Sequence, residues 1–155
     1  MNKKLVLALT VMVAVAFAAC AQHDHERYFE AIPIDGGRSV AIVEYLGNNR
    51  TVRIPPRIRN LPVTHIGEGA FRERNLISVT IPNSVTSIGW AAFEGNQLTS
   101  VTIPSSVTHI GDAAFQFNQL TSVTIPFATL AAADATWGGG AWRNGIPGGV
   151  FVFHP

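Results

Sequence analysis

The chain has 155 residues, of which 47% are hydrophobic and 14% charged, and this length suits one ordinary domain. Both lysines, Lys3 and Lys4, lie at the N-terminus, so the remainder carries nine arginines against ten acidic residues, a formal charge of about −1. This balance excludes the strongly basic domain that nucleic-acid binding requires, and we predict no nucleic-acid partner.

The N-terminus has the pattern of an export signal. The two lysines precede an apolar segment, Leu5–Ala19, which is too short to favour a membrane span of about 20 residues. The tetrapeptide Phe-Ala-Ala-Cys that ends at Cys20 resembles a bacterial lipobox, although the commonest lipoboxes carry Leu where Phe17 stands. The resemblance implies that residues 1–19 are removed and that Cys20 becomes a lipid-modified N-terminus. The alternative is ordinary cleavage after Ala21, and both alternatives imply export.

Residues 20–27 are predicted to form a solvated tether between this signal and the folded part. The tether contains the one cluster of metal-binding residue types in the chain, and weak metal capture is the alternative interpretation. The cluster comprises His23, Asp24, His25 and Glu26. Because Cys20 is the only cysteine, no disulfide can form within the chain.

Residues 28–48 have the signature of a β-hairpin. Two alternating segments, 28–34 and 39–45, are joined by the turn residues Asp-Gly-Gly-Arg at 35–38. An exposed sheet edge invites aggregation, so we expect this hairpin to cap the N-terminal end of whatever follows.

A repeat of 22 residues dominates residues 49–126. The pentapeptide Ser-Val-Thr-Ile-Pro begins at Ser78, Ser100 and Ser122. The pattern Ile-Gly-x-x-Ala-Phe begins at Ile66, Ile88 and Ile110. A divergent first copy begins at Thr51, 27 residues before Ser78, so five extra residues, 57–61, should bulge from the first turn. Identical apolar residues at one period predict inward-facing ladders in a coil of about four turns.

Each repeat unit predicts the same local structure. Val-Thr-Ile alternates as a short strand does, and the proline that follows cannot donate to a ladder and ends the pairing. A second, weaker strand is predicted at 84–88 and 106–110. The glycines Gly67, Gly89 and Gly111 mark a corner that needs a positive φ or a close backbone approach. Asn96 and Asn118 suit a polar corner that satisfies backbone groups.

The repeat register is lost after Pro126, and residues 127–155 are predicted to form a C-terminal cap. Residues 130–137 have helical character, Gly138–Gly140 end the helix, and 150–153 alternate as a last strand. Trp137 and Trp142 are expected to cover the final apolar rung, with ligand binding as the alternative.

The run Leu-x-x-Val-x-Ile-Pro-x-x-Val-x-x-Ile-Gly-x-x-Ala-Phe, found at 76–93 and 98–115, resembles the BspA-like, or treponemal-type, leucine-rich repeat of bacterial surface proteins. The resemblance covers residues 50–126 and implies a repeat solenoid, a short right-handed β-rich coil. One departure is the absence of the cysteine that many such repeats carry after the Phe. The resemblance also implies adhesion to host or extracellular-matrix proteins, or contact with other cells.

Enzyme chemistry has little support in the sequence. No nucleophile elbow, phosphate loop or zincin helix is present, and we predict a chain without enzymatic activity, cofactor or metal. His65 and His109 occupy equivalent places two turns apart, about 10 Å from each other at about 4.8 Å per rung. That separation cannot close around one ion, whose nitrogen ligands lie at about 2 Å.

The outward positions of the repeated strand are the predicted ligand-binding face, because such a face is broad and rigid. It comprises Ser78, Thr80, Ser100, Thr102, Ser122, Thr124 and, upstream, Thr51 and Arg53. Trp90, which replaces an acidic residue of the neighbouring turns, is an added hot-spot candidate; packing against its own loop is the alternative.

Six arginines crowd the first half of the repeat region, and solvated charge or an anionic-ligand patch would explain them. They are Arg50, Arg53, Arg57, Arg59, Arg72 and Arg74.

The function predicted from the whole sequence is protein binding by an exported protein, lipid-anchored in the bacterial envelope or at the cell surface, or secreted. The alternative to adhesion is an envelope structural or assembly protein that binds another bacterial protein.

Overall fold

The structure, a computed structural model, describes residues 24–154, and the predicted signal peptide (1–19) and lipidation site (Cys20) lie outside the described residues. Its strands are β1 (Phe29–Ile34), β2 (Ser39–Tyr45), β3 (Thr51–Arg53), β4 (Arg57–Ile58), β5 (Leu61–Ile66), β6 (Ser78–Thr80), β7 (Ser87–Ile88), β8 (Ser100–Thr102), β9 (His109–Ile110), β10 (Ser122–Ile125) and β11 (Phe151–Phe153). One α-helix, α1 (Leu130–Trp137), and short 3-10 turns at Glu26–Tyr28, Asp35–Gly37 and Gly140–Arg143 complete the described part.

The chain winds into a solenoid of about four turns; the first three turns each add one strand to each of two sides, and the fourth adds β10 to the first side. On the first side lie β3, β6, β8 and β10, where β3 pairs in parallel with β6 and β8 with β10. On the second side β5, β7 and β9 pair in parallel, with Ile66, Ile88 and Ile110 in register. The 22-residue period therefore places equivalent residues one above another, and the predicted solenoid is confirmed.

The core consists of stacked rows of identical apolar side chains. Ile81, Ile103 and Ile125, which belong to one row, are all buried. The aromatic row stacks face to face, with ring centroids 5.0 Å apart between Phe71 and Phe93 and 5.3 Å between Phe93 and Phe115. Each turn thus buries its apolar side only against its neighbours, which is why a single repeat could not fold alone.

The N-terminal hairpin forms as predicted and lies at the N-terminal end of the second side of the coil. β1 and β2 pair antiparallel, and the turn between them uses positive φ angles at Asp35 (52°) and Gly36 (66°). β2 then pairs in parallel with β5, so the hairpin continues the second side of the coil. Tyr45 of β2 stacks on Phe71 at 5.5 Å and extends the aromatic row by one ring.

The five extra residues of the first turn form a small hairpin. Arg57 pairs with Pro62 and Ile58 with Leu61, and the two residues between them, Arg59 and Asn60, have φ angles of 51° and 64°. Two consecutive positive φ angles are the requirement of the tightest hairpin turns. The insertion is therefore ordered by its own backbone pairing.

The corner glycines are needed for close approach, one of the two predicted reasons. A Cβ on Gly89 would lie 2.7 Å from the backbone nitrogen of Glu68, and one on Gly111 would lie 2.5 Å from that of Trp90. Neither glycine is among the residues with positive φ. The tight stacking of consecutive corners leaves no space for a side chain there.

The C-terminal cap is a helix followed by a strand. Thr129 accepts a hydrogen bond from the backbone of Ala132 and begins α1, and Gly138, at φ 87°, ends it. The two cap tryptophans are buried, and the indole of Trp137 donates to the carbonyl oxygen of Val107 at 2.9 Å. This burial supports the covering role expected of Trp137 and Trp142.

No described helix is both long and apolar enough to cross a bilayer.

Candidate binding surface

The outward residues of the first side stand in two registered columns. Thr51 lies beside Ser78 and Ser100 beside Ser122 in one column, while Arg53 lies beside Thr80 and Thr102 beside Thr124 in the other. We call this surface the strand face; it comprises Thr51, Arg53, Ser78, Thr80, Ser100, Thr102, Ser122 and Thr124. Its side chains are exposed in the first three strands and half-buried at Ser122 and Thr124.

The strand face is held flat by the valines between its two columns. Val52, Val79, Val101 and Val123 are buried, and no more than 8% of the surface of each residue is exposed. Because alternate residues of a strand point to opposite sides, each buried valine fixes the outward direction of the two residues beside it. The face is therefore ordered before any partner arrives.

The face is longer than the repeat predicts, because β11 adds a rung to it. β11 pairs in parallel with β10, and Val152 stands in register with Thr124. Val152 is 41% exposed and ends the threonine column with an apolar side chain. The alternation of residues 150–153 predicts a strand. Because this strand follows the last repeat, the repeat spacing predicts neither its partner nor its register.

The opposite end of the strand face is closed by the N-terminal segment. The backbone nitrogen of Asp24 donates to the carbonyl oxygen of Arg53 at 2.8 Å, and the Asp24 carboxylate accepts from the backbone nitrogen of Arg53 at 2.6 Å. The Glu26 carboxylate accepts from the backbone of Arg59 at 2.8 Å. From Asp24 onward the predicted tether is thus docked on the first turn, because its carboxylates satisfy backbone donors of that turn.

Trp90 is exposed as predicted but does not belong to the strand face. It follows β7, which lies on the second side of the coil, and 46% of its surface is exposed. The guanidinium carbon of Arg72 lies 5.9 Å from the centre of its ring, and Arg72 Nε lies 3.2 Å from a carboxylate oxygen of the buried Glu94. The structure therefore corrects the predicted grouping: Trp90 is a separate candidate contact, partly engaged by Arg72.

The histidines of the repeats lie in one row on the second side of the coil. His65, Ser87 and His109 stand in register on β5, β7 and β9, as the repeat spacing predicts. His65 shares a hydrogen bond of 2.9 Å with the hydroxyl of Thr64. Among residues 24–154 no group of three or more metal-binding side chains lies close enough to hold an ion. His23, of the N-terminal cluster, lies outside the described residues.

Three of the six crowded arginines, Arg50, Arg72 and Arg74, bond through their side chains to another turn or to the N-terminal hairpin. Arg50 donates to the carbonyl oxygen of Asn75 at 3.0 Å and to the side chain of Gln97 at 2.6 Å, so it links three successive turns. Arg74 donates to the Glu44 carboxylate at 2.5 Å. These contacts favour a structural role for these side chains over an anionic-ligand patch.

The polar corner predicted at the asparagines forms. The side-chain oxygen of Asn96 accepts from the backbone nitrogens of Arg74 and Leu76 at 3.1 and 3.0 Å. Its amide nitrogen donates to the carbonyl oxygens of Phe71 and Phe93 at 2.8 and 2.9 Å. Asn96 thus connects two turns at the corner that precedes the strands of the first side, and Asn118 makes the corresponding amide contacts one turn later.

Comparison with known proteins gives the same repeat. Residues 51–133 match the model of the BspA type leucine rich repeat region, in six copies. A search of curated protein sequences finds no match.

Three solved structures are similar to parts of the chain. A leucine-rich repeat protein from Bacteroides capillosus ATCC 29799 is 26% identical, with a TM-score of 0.49, and the match covers 66% of this chain and 96% of that one. The leucine rich repeat protein of T. pallidum is 21% identical, with a TM-score of 0.44, over 67% of this chain and 72% of that one. A leucine rich cell surface protein from Faecalibacterium prausnitzii A2-165 is 17% identical, with a TM-score of 0.30, over 65% and 54%. Because the repeat model spans more than half of the 155 residues, the chain belongs to the BspA-type leucine-rich repeat family.

Proposed function

We propose that this chain is a protein-binding module of the bacterial cell surface and that the strand face is its binding surface. The observation that carries the proposal is the registered grid of Ser and Thr hydroxyls between Thr51 and Thr124. Each hydroxyl can both donate and accept a hydrogen bond, so the grid suits polar groups of another protein.

Two physical properties of the strand face favour binding. Serine and threonine side chains are short and lose little rotamer freedom when a partner covers them. The valine row beneath them is buried, which keeps the backbone in one arrangement before and after binding. The part of the entropic cost of binding that comes from ordering side chains and backbone is therefore small.

The proposed location follows from the N-terminal sequence. A lipid anchor at Cys20, or secretion after ordinary cleavage, would carry the coil out of the cytoplasm. From the family resemblance we infer adhesion to host or extracellular-matrix proteins, with the partner's identity open to experiment.

Binding by the strand face is tested with purified extracellular-matrix proteins and, separately, purified envelope proteins. The exported protein is compared with a double variant, Thr102→Glu and Thr124→Glu, which sets two like charges on neighbouring rungs. The matched control is His109→Glu on β9, an exposed strand position on the second side of the coil. We expect the double variant to lose binding at least about tenfold, a change of about 1.4 kcal/mol, and the control to retain it. Equal binding by all three proteins would place the site elsewhere.

Surface display is tested separately by adding protease to intact cells. Degradation of the protein on intact cells would support adhesion. Protection until the cells are broken would refute display and favour a structural or assembly role inside the envelope.

A further inference from the structure

Within residues 24–154 the strands at the two ends of the coil are β1, β3, β9 and β11, and the first three of these are protected from further pairing. Natural proteins protect such edges with charges, prolines or a covering segment. β1 carries Glu30 and Pro33. β3 is bonded to Asp24 through its backbone, as described above. α1 packs against β9, and Trp137 of α1 donates to the carbonyl oxygen of Val107, two residues before β9.

β11 is the exception among the described residues. It consists of Phe-Val-Phe, without charge or proline, and residues 144–153 contain no charged side chain. Val152 and Phe153 are 41% and 40% exposed. An apolar, unprotected edge of this kind is the feature that natural sheets usually avoid.

The backbone of β11 is half used. The carbonyl oxygen of Val150 accepts from Val123 at 2.8 Å, and the backbone nitrogen of His154 donates to Ile125 at 3.0 Å. Since alternate residues of a strand bond to opposite sides, the N–H and C=O groups of Phe151 and Phe153 face away from β10. No described residue bonds to this outer side of β11.

We propose that β11 pairs with β11 of a second copy of this chain, antiparallel about a two-fold axis that passes beside Val152. In that arrangement Phe151 lies opposite Phe153 of the second copy, and each such pair exchanges both of its backbone hydrogen bonds. Val152 meets its own symmetry mate across the axis. The strand is thus complementary to itself, as an isologous interface requires.

The side chains favour a second copy over an unrelated strand. Phe151 and Phe153 stand in register with the buried Val123 and Ile125, so they point to the core side of the sheet. The ring of Phe151 already contacts Trp142, with centroids 5.7 Å apart. Pairing about the axis would bring the phenylalanines of both copies together and join the two cores. Because residues 144–153 are uncharged, the axis brings no like charges together there.

Such a dimer would also join the strand faces of two copies into one surface, with Val152 at the centre. Two joined strand faces would bind a partner with two matching sites more tightly than one strand face does. The pairing itself does not depend on the proposed function, and it can be tested without any partner.

The test measures self-association of the purified exported protein by sedimentation velocity over a range of concentrations. Val152→Lys and Val152→Glu each place like charges opposite one another on the axis, where they oppose pairing. The matched control is Ile32→Lys on β1, a strand position with 47% exposure at the protected N-terminal end. Circular dichroism verifies that every variant is folded.

We expect the wild type and the Ile32→Lys variant to dimerise equally, and each Val152 variant alone to dimerise at least about tenfold more weakly. An equimolar mixture of the Lys and Glu variants should recover dimers, because opposite charges then meet on the axis. A monomeric wild type, unchanged dimerisation of the Val152 variants, loss of dimers in Ile32→Lys, or failure of the mixture to recover them would each overturn the proposal.

Discussion

Replacement of Asn96 by Ala should be the most informative test of how neighbouring turns are held together. Asn96 is 4% exposed and its side chain makes hydrogen bonds with five backbone groups in two turns. Alanine would remove all of these hydrogen bonds, because its side chain has neither a donor nor an acceptor. Asn96 is not a residue of the strand face, so the substitution removes no side chain from that face.

The magnitude follows from which groups lose their partners. The backbone nitrogen of Leu76, a fully buried residue, loses its acceptor, and an unsatisfied buried donor costs about 1–3 kcal/mol. The half-buried Arg74 loses an acceptor too, but water can reach it in part. The carbonyl oxygen of Phe93 keeps a donor from Asn118 at 2.9 Å. We therefore expect a loss of about 3 kcal/mol in the free energy of unfolding.

Asn118 provides the matched control. Its amide makes the same three donor contacts as Asn96, one turn later, but its oxygen accepts from one backbone nitrogen, Leu98, and the residue is half-buried. Asn118→Ala should therefore cost about 1–2 kcal/mol. Urea unfolding followed by circular dichroism measures both variants. A cost for Asn96→Ala below about 1 kcal/mol, or no greater than that of Asn118→Ala, would refute the reasoning.

Two further predictions concern packing and pH. Gly89→Ala should lower the free energy of unfolding in urea by at least about 1–3 kcal/mol, because the added Cβ would lie 2.7 Å from the backbone of Glu68. Gly148→Ala is the control and should change the free energy of unfolding little, because the space around Gly148 is open. Equal effects of the two substitutions would contradict the close-approach argument. Burial, and next the negative charge of Asp24, raise the pKa of Tyr45 above its usual 10.0, so the folded state holds this proton more tightly. The free energy of unfolding should therefore fall as pH rises from about 10 through the raised pKa. Tyr45→Phe should reduce that fall in alkaline unfolding curves, and an unchanged pH dependence would count against the assignment.

The strand-face and β11 variants described above complete the predictions. The two sets of variants test different proposals. The substitutions at Thr102 and Thr124 test binding of a different protein, whereas those at Val152 test association of identical copies. A chain that dimerises yet binds nothing, or binds as a monomer, would support one proposal and refute the other.

The period of the sequence determined the coil. When Ile66, Ile88 and Ile110 recur every 22 residues, the arrangement that buries all of them stacks each on the next, and the register of every repeat strand follows. The asparagine corner was predictable for the same reason, because its partners are backbone groups of adjacent repeats. The corner glycines follow from the same stacking, because each corner lies against the backbone of the preceding turn.

What the tertiary structure alone decided lies where the period stops. The pairing of β2 with β5, the docking of Asp24 on β3 and the register of β11 on β10 all join segments that share no repeat. For such contacts no sequence spacing fixes the partner; burial of the end rungs and satisfaction of their backbone groups select it. Trp90 is a further example of a position that the sequence predicts only in part. The repeat predicts that Trp90 is exposed, whereas the path of the coil decides on which side of the coil it lies.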